Sequence, residues 1–254
     1  KSVEIINKET EISVNEVFNK FENDILKGTQ KLNPIKLPDD FSLIPHKFNP
    51  VKGWFAEKGD TYFLDQLRLV FKKIMEKKEN LYFMGEDLLD PYGGAFKATI
   101  GLSSLFPERV LNMPISEAGF MGLANGMALR GLRPVVEIMF GDFVTLILDQ
   151  LLNHATKFQR MYGGSVKCPV VIRSPMGGYR GYGPTHSQSL EKILIGIPGL
   201  IVLAASPIHN LNLIWERLLE LETPVFMIEN KNLYGQTIRN CIEGKIDNFK
   251  IIES

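Results

Sequence analysis

From Thr61 onward, short apolar runs alternate with stretches whose apolar residues follow helical spacing. The runs fall at residues 81–84, 109–113, 134–139, 170–173, 200–204 and 225–228. Before the first of them, Leu64, Leu67, Phe71, Ile74 and Met75 mark a helix. It closes on Lys77 and Lys78, where positive charge suits the C-terminal end of the helix dipole. Further helices are predicted at about 95–105, 117–130, 143–160, 187–195 and 207–221. Gly131 stands where a helix C-cap belongs, and Ser206-Pro207 supplies an N-cap followed by a first-turn proline. Continuous apolar strands alternating with helices predict an α/β fold of three layers: a mainly parallel sheet with helices on both faces. The regular pattern sets residues 61–254 apart as one domain.

Residues 1–60 read differently. Ser13 to Glu16 forms a capping box, and Val17, Phe18, Phe21 and Ile25 follow helical spacing up to Gly28. Pro34, Pro38, Pro45 and Pro50 then punctuate a segment with little periodicity, so we read an extension or linker without chemistry of its own. The chain opens on Lys1 rather than Met, which leads us to expect an upstream portion.

Composition narrows the field. Lysine plus arginine and aspartate plus glutamate number 29 each, a balance that predicts neither nucleic acid nor a membrane surface as partner. There is no run of about 18 apolar residues of the kind that crosses a bilayer, and no secretory signal. The two cysteines, Cys168 and Cys241, lie far apart. They suggest no disulfide framework and no metal-ligand spacing, and they fit a reducing cytoplasm.

In parallel sheets, ligands bind beyond the carboxyl ends of the strands, so the residues there carry the chemistry. The first strand is followed by Gly85-Glu86-Asp87 and the second by Pro114 through Gly119, including Ile115 and Glu117. The third is followed by Phe140-Gly141-Asp142-Phe143, and the fourth by a glycine-rich loop (Gly177, Gly178, Gly181, Gly183) ending in His186-Ser187-Gln188. Two carboxylates, an aromatic ring and a histidine thus converge on one predicted edge. The glycines match no phosphate-loop pattern, and the residues by themselves specify an α/β domain with an acid–histidine site.

An ordered series of segments goes further. Gly85-Glu86-Asp87, Tyr92 to Lys97, Arg109, Pro114 to Phe120, Gly131 to Glu137, Asp149-Gln150, Tyr162-Gly163-Gly164, His186-Ser187-Gln188, Pro198-Gly199-Leu200 and Leu233-Tyr234-Gly235 follow one another through residues 61–235. Together they resemble the β subunits of thiamine-diphosphate-dependent 2-oxoacid dehydrogenases, of the pyruvate, branched-chain and acetoin types. The resemblance implies a transketolase-like, pyrimidine-binding domain. It implies that Glu117 is the cofactor-activating glutamate, that Phe143 stacks on the pyrimidine and that Ile115 lends its backbone. It further implies that Glu86 joins an acidic proton network and that His186 faces the thiazolium and substrate. Some members hold a potassium ion on backbone carbonyls. The matching positions are Val170, Leu218, Leu219, Leu221 and Thr223, with Leu221 standing where a carboxylate is usual.

The same resemblance implies partners: an α-type subunit or fused half that binds the diphosphate and magnesium, a second β-type copy, and a lipoyl acyltransferase component. The Gly-Asp-Gly motif that holds magnesium does not occur in this chain. The stretch after Asn230 is shorter than the further domain of the family's β subunits, so we expect a piece of a longer protein or a pruned member. Gly119, Gly122 and Gly126 lie near one helix face, for close packing inside the domain or between subunits. Oxidative decarboxylation of a 2-oxoacid with acyl transfer to a lipoyl group is the leading expectation. Acetoin cleavage, transketolase-like chemistry and a degenerate scaffold domain are the alternatives. The departures at Phe140-Gly141, Leu146 and Leu221 keep the last one open.

Overall fold

The computed structural model describes residues 61–178, 180–206, 211–235 and 237–238. The predicted extension over residues 1–60, together with Tyr179, Pro207 and Cys241, lies outside them.

Two residues, β1 (Thr61–Tyr62), lead into α1 (Phe63–Lys77). The inward face of α1 begins one position earlier than the spacing suggested, with Phe63 rather than Leu64. It continues through Leu67, Val70, Phe71, Ile74 and Met75, all buried. β2 (Leu81–Gly85), β3 (Val110–Asn112), β4 (Arg133–Glu137), β5 (Val171–Met176), β6 (Ile201–Ala204) and β7 (Val225–Asn230) form one sheet in the order β3-β2-β4-β5-β7-β6. Every pairing in it is parallel. β1 pairs antiparallel with β8 (Thr237–Ile238). All six predicted strands are present within two or three residues of their expected bounds.

Helices cover both faces, because each strand is apolar on both sides. On one face α1 packs beside α6 (Leu211–Leu218), with the Phe71 ring edge-on to Trp215 at 4.9 Å and against Phe83 of β2 at 4.8 Å. Lys77 reaches Glu216 at 2.6 Å across that helix pair. On the other face Phe120, Met121, Ala124 and Ala128 of α3 (Glu117–Leu129) share a core with Met84, Val136, Ile172 and Phe226 of the sheet. Helix α3 closes as expected. Gly131 takes φ +86°, its N–H donates to the Ala128 carbonyl, and the Leu132 N–H donates to Met127.

Three predicted helices are shorter or broken. Of residues 95–105 only α2 (Leu102–Leu105) is helical. Gly93, Gly94, Lys97 and Gly101 all take positive φ, and the Gly94 N–H donates to Asp87 rather than into a helix. Residues 143–160 divide into a 3-10 helix (Gly141–Ile147), a π-helical turn (Gln150–Ala155) and α4 (Phe158–Met161). The Gln150 carbonyl is taken from outside by the Asn125 side-chain amide at 2.9 Å, which helps to interrupt a regular ladder. The predicted 187–195 helix contracts to α5 (Glu191–Ile195), since Gln188 is committed to the loop before it. Among the described residues, no helix is long and apolar enough to cross a membrane.

The chain leaves β2 toward β3 on one side and leaves β4 toward β5 on the other. That reversal opens a crevice at the carboxyl ends of β2 and β4, where ligands of open parallel sheets bind.

Candidate active site

Glu86 and Phe143 flank this crevice because they follow the two strands that bound it. Gly85 ends β2 paired with Glu137; a Cβ there would stand 2.8 Å from the Glu137 carbonyl oxygen, so glycine permits the pairing. The chain then turns sharply, with Asp87 at φ +57°. The Glu86 side chain is buried, and its Oε1 has no hydrogen-bond partner among the described residues. Burial first, then the negative charges of Glu117 and Asp87, push its carboxyl up to about 7. Glu117 opens α3 and is itself buried, near enough for its charge to act on Glu86.

A wall of rings faces the same edge. The 3-10 helix carries Phe143, and this helix packs on α3. His186 meets Phe143 edge-on at 5.3 Å and Phe140 at 4.7 Å. Phe140 also meets Tyr182 at 5.7 Å and Phe96 at 5.4 Å. Phe140 supplies a ring against His186, while a Cβ on Gly141 would come within 2.3 Å of Met176. Ile115 is 87% exposed, which leaves its backbone open at the head of α3.

The loop bearing His186 is tied at its base. The N–H of Gly177 donates to Gln188 at 3.2 Å. The Gln188 side-chain amide donates to buried Asp142 at 2.8 Å. Lys231, fully buried, donates from Nζ to the His186 carbonyl. Burial holds the Lys231 amine below its ordinary range and Arg180 adds to this, while Asp142 opposes it.

Below the site lies a buried ion cluster that sequence reasoning missed. Arg173 of β5 grips Glu229 of β7 through two nitrogens and Glu137 of β4 through a third. Tyr234 donates to Glu229 at 2.6 Å and accepts from Arg173 at 2.9 Å. Burial, with Glu229 nearby, raises the Glu137 carboxyl despite Arg173. The signal was present in the sequence: one charged residue stands at the same end of each of three neighbouring apolar strands.

The carbonyls expected to hold potassium are partly engaged. Val170 accepts from the Val225 N–H at 3.0 Å, and Leu221 accepts the Arg133 guanidinium. With a full positive charge already at Leu221, these residues fit a potassium ion poorly. Of the glycines on α3, Gly122 serves close packing inside the domain, against the Gln150 side chain; a Cβ on Gly126 would touch nothing within 4 Å. Among the described residues, no group of three or more histidine, cysteine or acidic side chains is placed to hold a metal.

Glu86 gives a pH test. A carboxyl held near 7 binds its proton in the folded state while the unfolded chain, near 4.5, has released it. Its contribution to stability is therefore full below about pH 4.5 and is lost as pH rises through about 7. The Glu86→Gln variant should melt close to wild type near pH 5 and above it near pH 8, the gap widening with pH. A gap that stays constant across this window in thermal melts would contradict the assignment.

Fold and strand-end site define an α/β domain with paired carboxylates and an aromatic–histidine wall at its ligand edge. The chain belongs to the transketolase pyrimidine-binding-domain family, whose pattern matches residues 63–237. It is 37% identical over 174 residues to the pyruvate dehydrogenase E1 component subunit beta of Rickettsia bellii (strain RML369-C), covering 68% of this chain and 53% of that protein. It is equally 37% identical, over 184 residues, to the acetoin:2,6-dichlorophenolindophenol oxidoreductase subunit beta of Bacillus subtilis (strain 168), covering 67% and 54%. Among solved structures, a split-gene transketolase described as an inactive beta4 tetramer matches with a TM-score of 0.52 at 20% identity. It covers 67% of this chain and 51% of that one, a likeness of fold. The homologues of this chain are thus β subunits of 2-oxoacid dehydrogenase and acetoin-oxidising enzymes, and the chain spans about half the length of the curated relatives it matches.

Proposed function

We propose that this chain supplies the pyrimidine-binding side of a thiamine-diphosphate enzyme, as the β-type component of a 2-oxoacid dehydrogenase. The observation that carries the reading is the buried Glu86–Glu117 pair. One carboxyl is pushed up to about 7, and one of its oxygens is buried without a hydrogen-bond partner among the described residues. An aminopyrimidine offers ring nitrogens and an exocyclic amine that such carboxyls can bond, so the residues present fit the cofactor. Thiamine diphosphate, when bound, supplies a carbanion that attacks the substrate carbonyl. Glu117 would hold a proton on its carboxyl oxygen toward a pyrimidine nitrogen. Glu86, titrating near neutrality, would exchange protons with it. Phe143 would give the pyrimidine a ring face, and Ile115 its backbone. His186 would hold a proton on its imidazole facing the substrate.

The diphosphate and magnesium fall to an α-type partner or fused half, with a second β-type copy completing the assembly and a lipoyl acyltransferase receiving the acyl group. We place the protein in the cytoplasm on its cysteine usage; Cys168 is buried and burial raises its thiol to about 12, which leaves it inert. Acetoin oxidation is the second reading, favoured by the equal identity to the acetoin subunit.

Binding tests the proposal first. Full-length protein with its copurified partner should melt higher when thiamine diphosphate and magnesium are added together, by several degrees at saturating cofactor. No shift in a complex whose partner is verified would count against the proposal.

A further inference from the structure

We propose that Lys231 is the positioning residue for His186, fixing the histidine's backbone against the Phe140–Phe143 wall. The inference rests on the reading of His186 above. Lys231 directly follows β7 and begins the 3-10 turn Lys231–Gly235, so its backbone is anchored on the sheet. Its side chain is fully buried, and Nζ donates to the His186 carbonyl, 45 residues away in sequence. The ammonium lies 5.1 Å from the centre of the Phe140 ring and 5.4 Å from that of Tyr182. Phe140 is one of the two rings that flank the histidine, and Tyr182 packs against Phe140. In return, Arg180 of the same loop donates to the Lys231 carbonyl at 3.1 Å. Two residues beyond His186, Asp142 accepts from the backbone and side-chain amides of Gln188.

The chemistry argues for a role beyond filling space. Burying an ammonium is costly unless it is hydrogen-bonded, and an apolar side chain of the same length would fill the site without that cost. What the ammonium adds is a fixed bond to one carbonyl, that of His186. With Gln188 held from the other side, the backbone of His186 is secured on both flanks, and its ring Nδ1 lies 2.9 Å from the Thr185 hydroxyl. Such preorganisation acts on the chemical step rather than on cofactor capture.

The test uses the complete complex in three forms: wild type, Lys231→Met and Lys231→Arg. In Lys231→Met, deuterium uptake over residues 183–190 should rise about tenfold while uptake over α1 stays unchanged. Turnover should fall about 10–100-fold, with the thiamine diphosphate Kd within about twofold of wild type. Lys231→Arg, which keeps charge and donor, should recover most of both properties. Unchanged uptake over residues 183–190 in Lys231→Met would overturn the proposal. So would a loss confined to cofactor affinity, or an arginine variant as impaired as the methionine one, which also decides the matter if methionine loosens α1. If uptake responds as stated but wild type shows no cofactor-dependent turnover, the pin stands and the proposed function fails.

Discussion

The Glu117→Gln variant should assemble normally and lose turnover by about 10²–10⁴-fold, the range carried by one well-placed proton-transfer group. Glutamine keeps the size of the side chain and can still hydrogen-bond a pyrimidine, but it cannot exchange a proton. Because Glu117 is buried at the head of α3, removing its charge also relieves Glu86, whose raised carboxyl owes part of its shift to that charge. The Glu86 pKa should therefore fall in the variant, while its burial keeps it above the ordinary carboxylate range. Steady-state kinetics and calorimetric cofactor titration separate the two effects. Turnover near the wild-type rate would remove Glu117 from the chemistry.

Arg173→Met should be the most destabilising single substitution at this edge of the sheet, costing about 3–5 kcal/mol. Arg173 is the shared cation for Glu137 and Glu229, one on each neighbouring strand, and all three are buried. Methionine leaves two buried carboxyls without their counter-ion, and the Tyr234 hydroxyl loses a donor. For a domain of this size the melting temperature should drop by roughly 10 °C or more. Adding Glu137→Gln and Glu229→Gln to the methionine variant should recover part of the loss, since neutral groups tolerate burial better than unpaired charges. A single variant melting within about 2 °C of wild type would show that the cluster is energetically idle.

How far the sequence could be read follows from the physics of each element. The six strands were legible because strands covered on both faces are continuous apolar runs. The α3 end was legible because Gly131 occupies a left-handed cap that glycine adopts without strain. The helix expected at 95–105 failed because Lys97 takes φ +63° within a hydrogen-bonded loop, a tertiary demand that no local propensity reports. Residues 143–160 carried helical spacing throughout, yet Asn125 on another helix captures the Gln150 carbonyl, and that donor is distant in sequence.

At the site, Glu86, Glu117, Phe143 and His186 were accessible to reasoning from strand ends, and the structure pairs them as two carboxyls and two rings. Lys231 was not. A lysine following an apolar strand reads as a solvated turn residue, and its burial depends on a carbonyl 45 residues earlier. The potassium expectation came by resemblance and met Arg133 at the Leu221 carbonyl.

Completed by an α-type partner, this chain is proposed to turn over a 2-oxoacid through thiamine diphosphate. The most direct test is dye reduction by the full-length complex with magnesium and thiamine diphosphate, assayed on pyruvate, branched 2-oxoacids and acetoin. The expected result is turnover that requires the cofactor and prefers one of these substrates. Absence of turnover on all of them, with partner and cofactor verified in the complex, would contradict it.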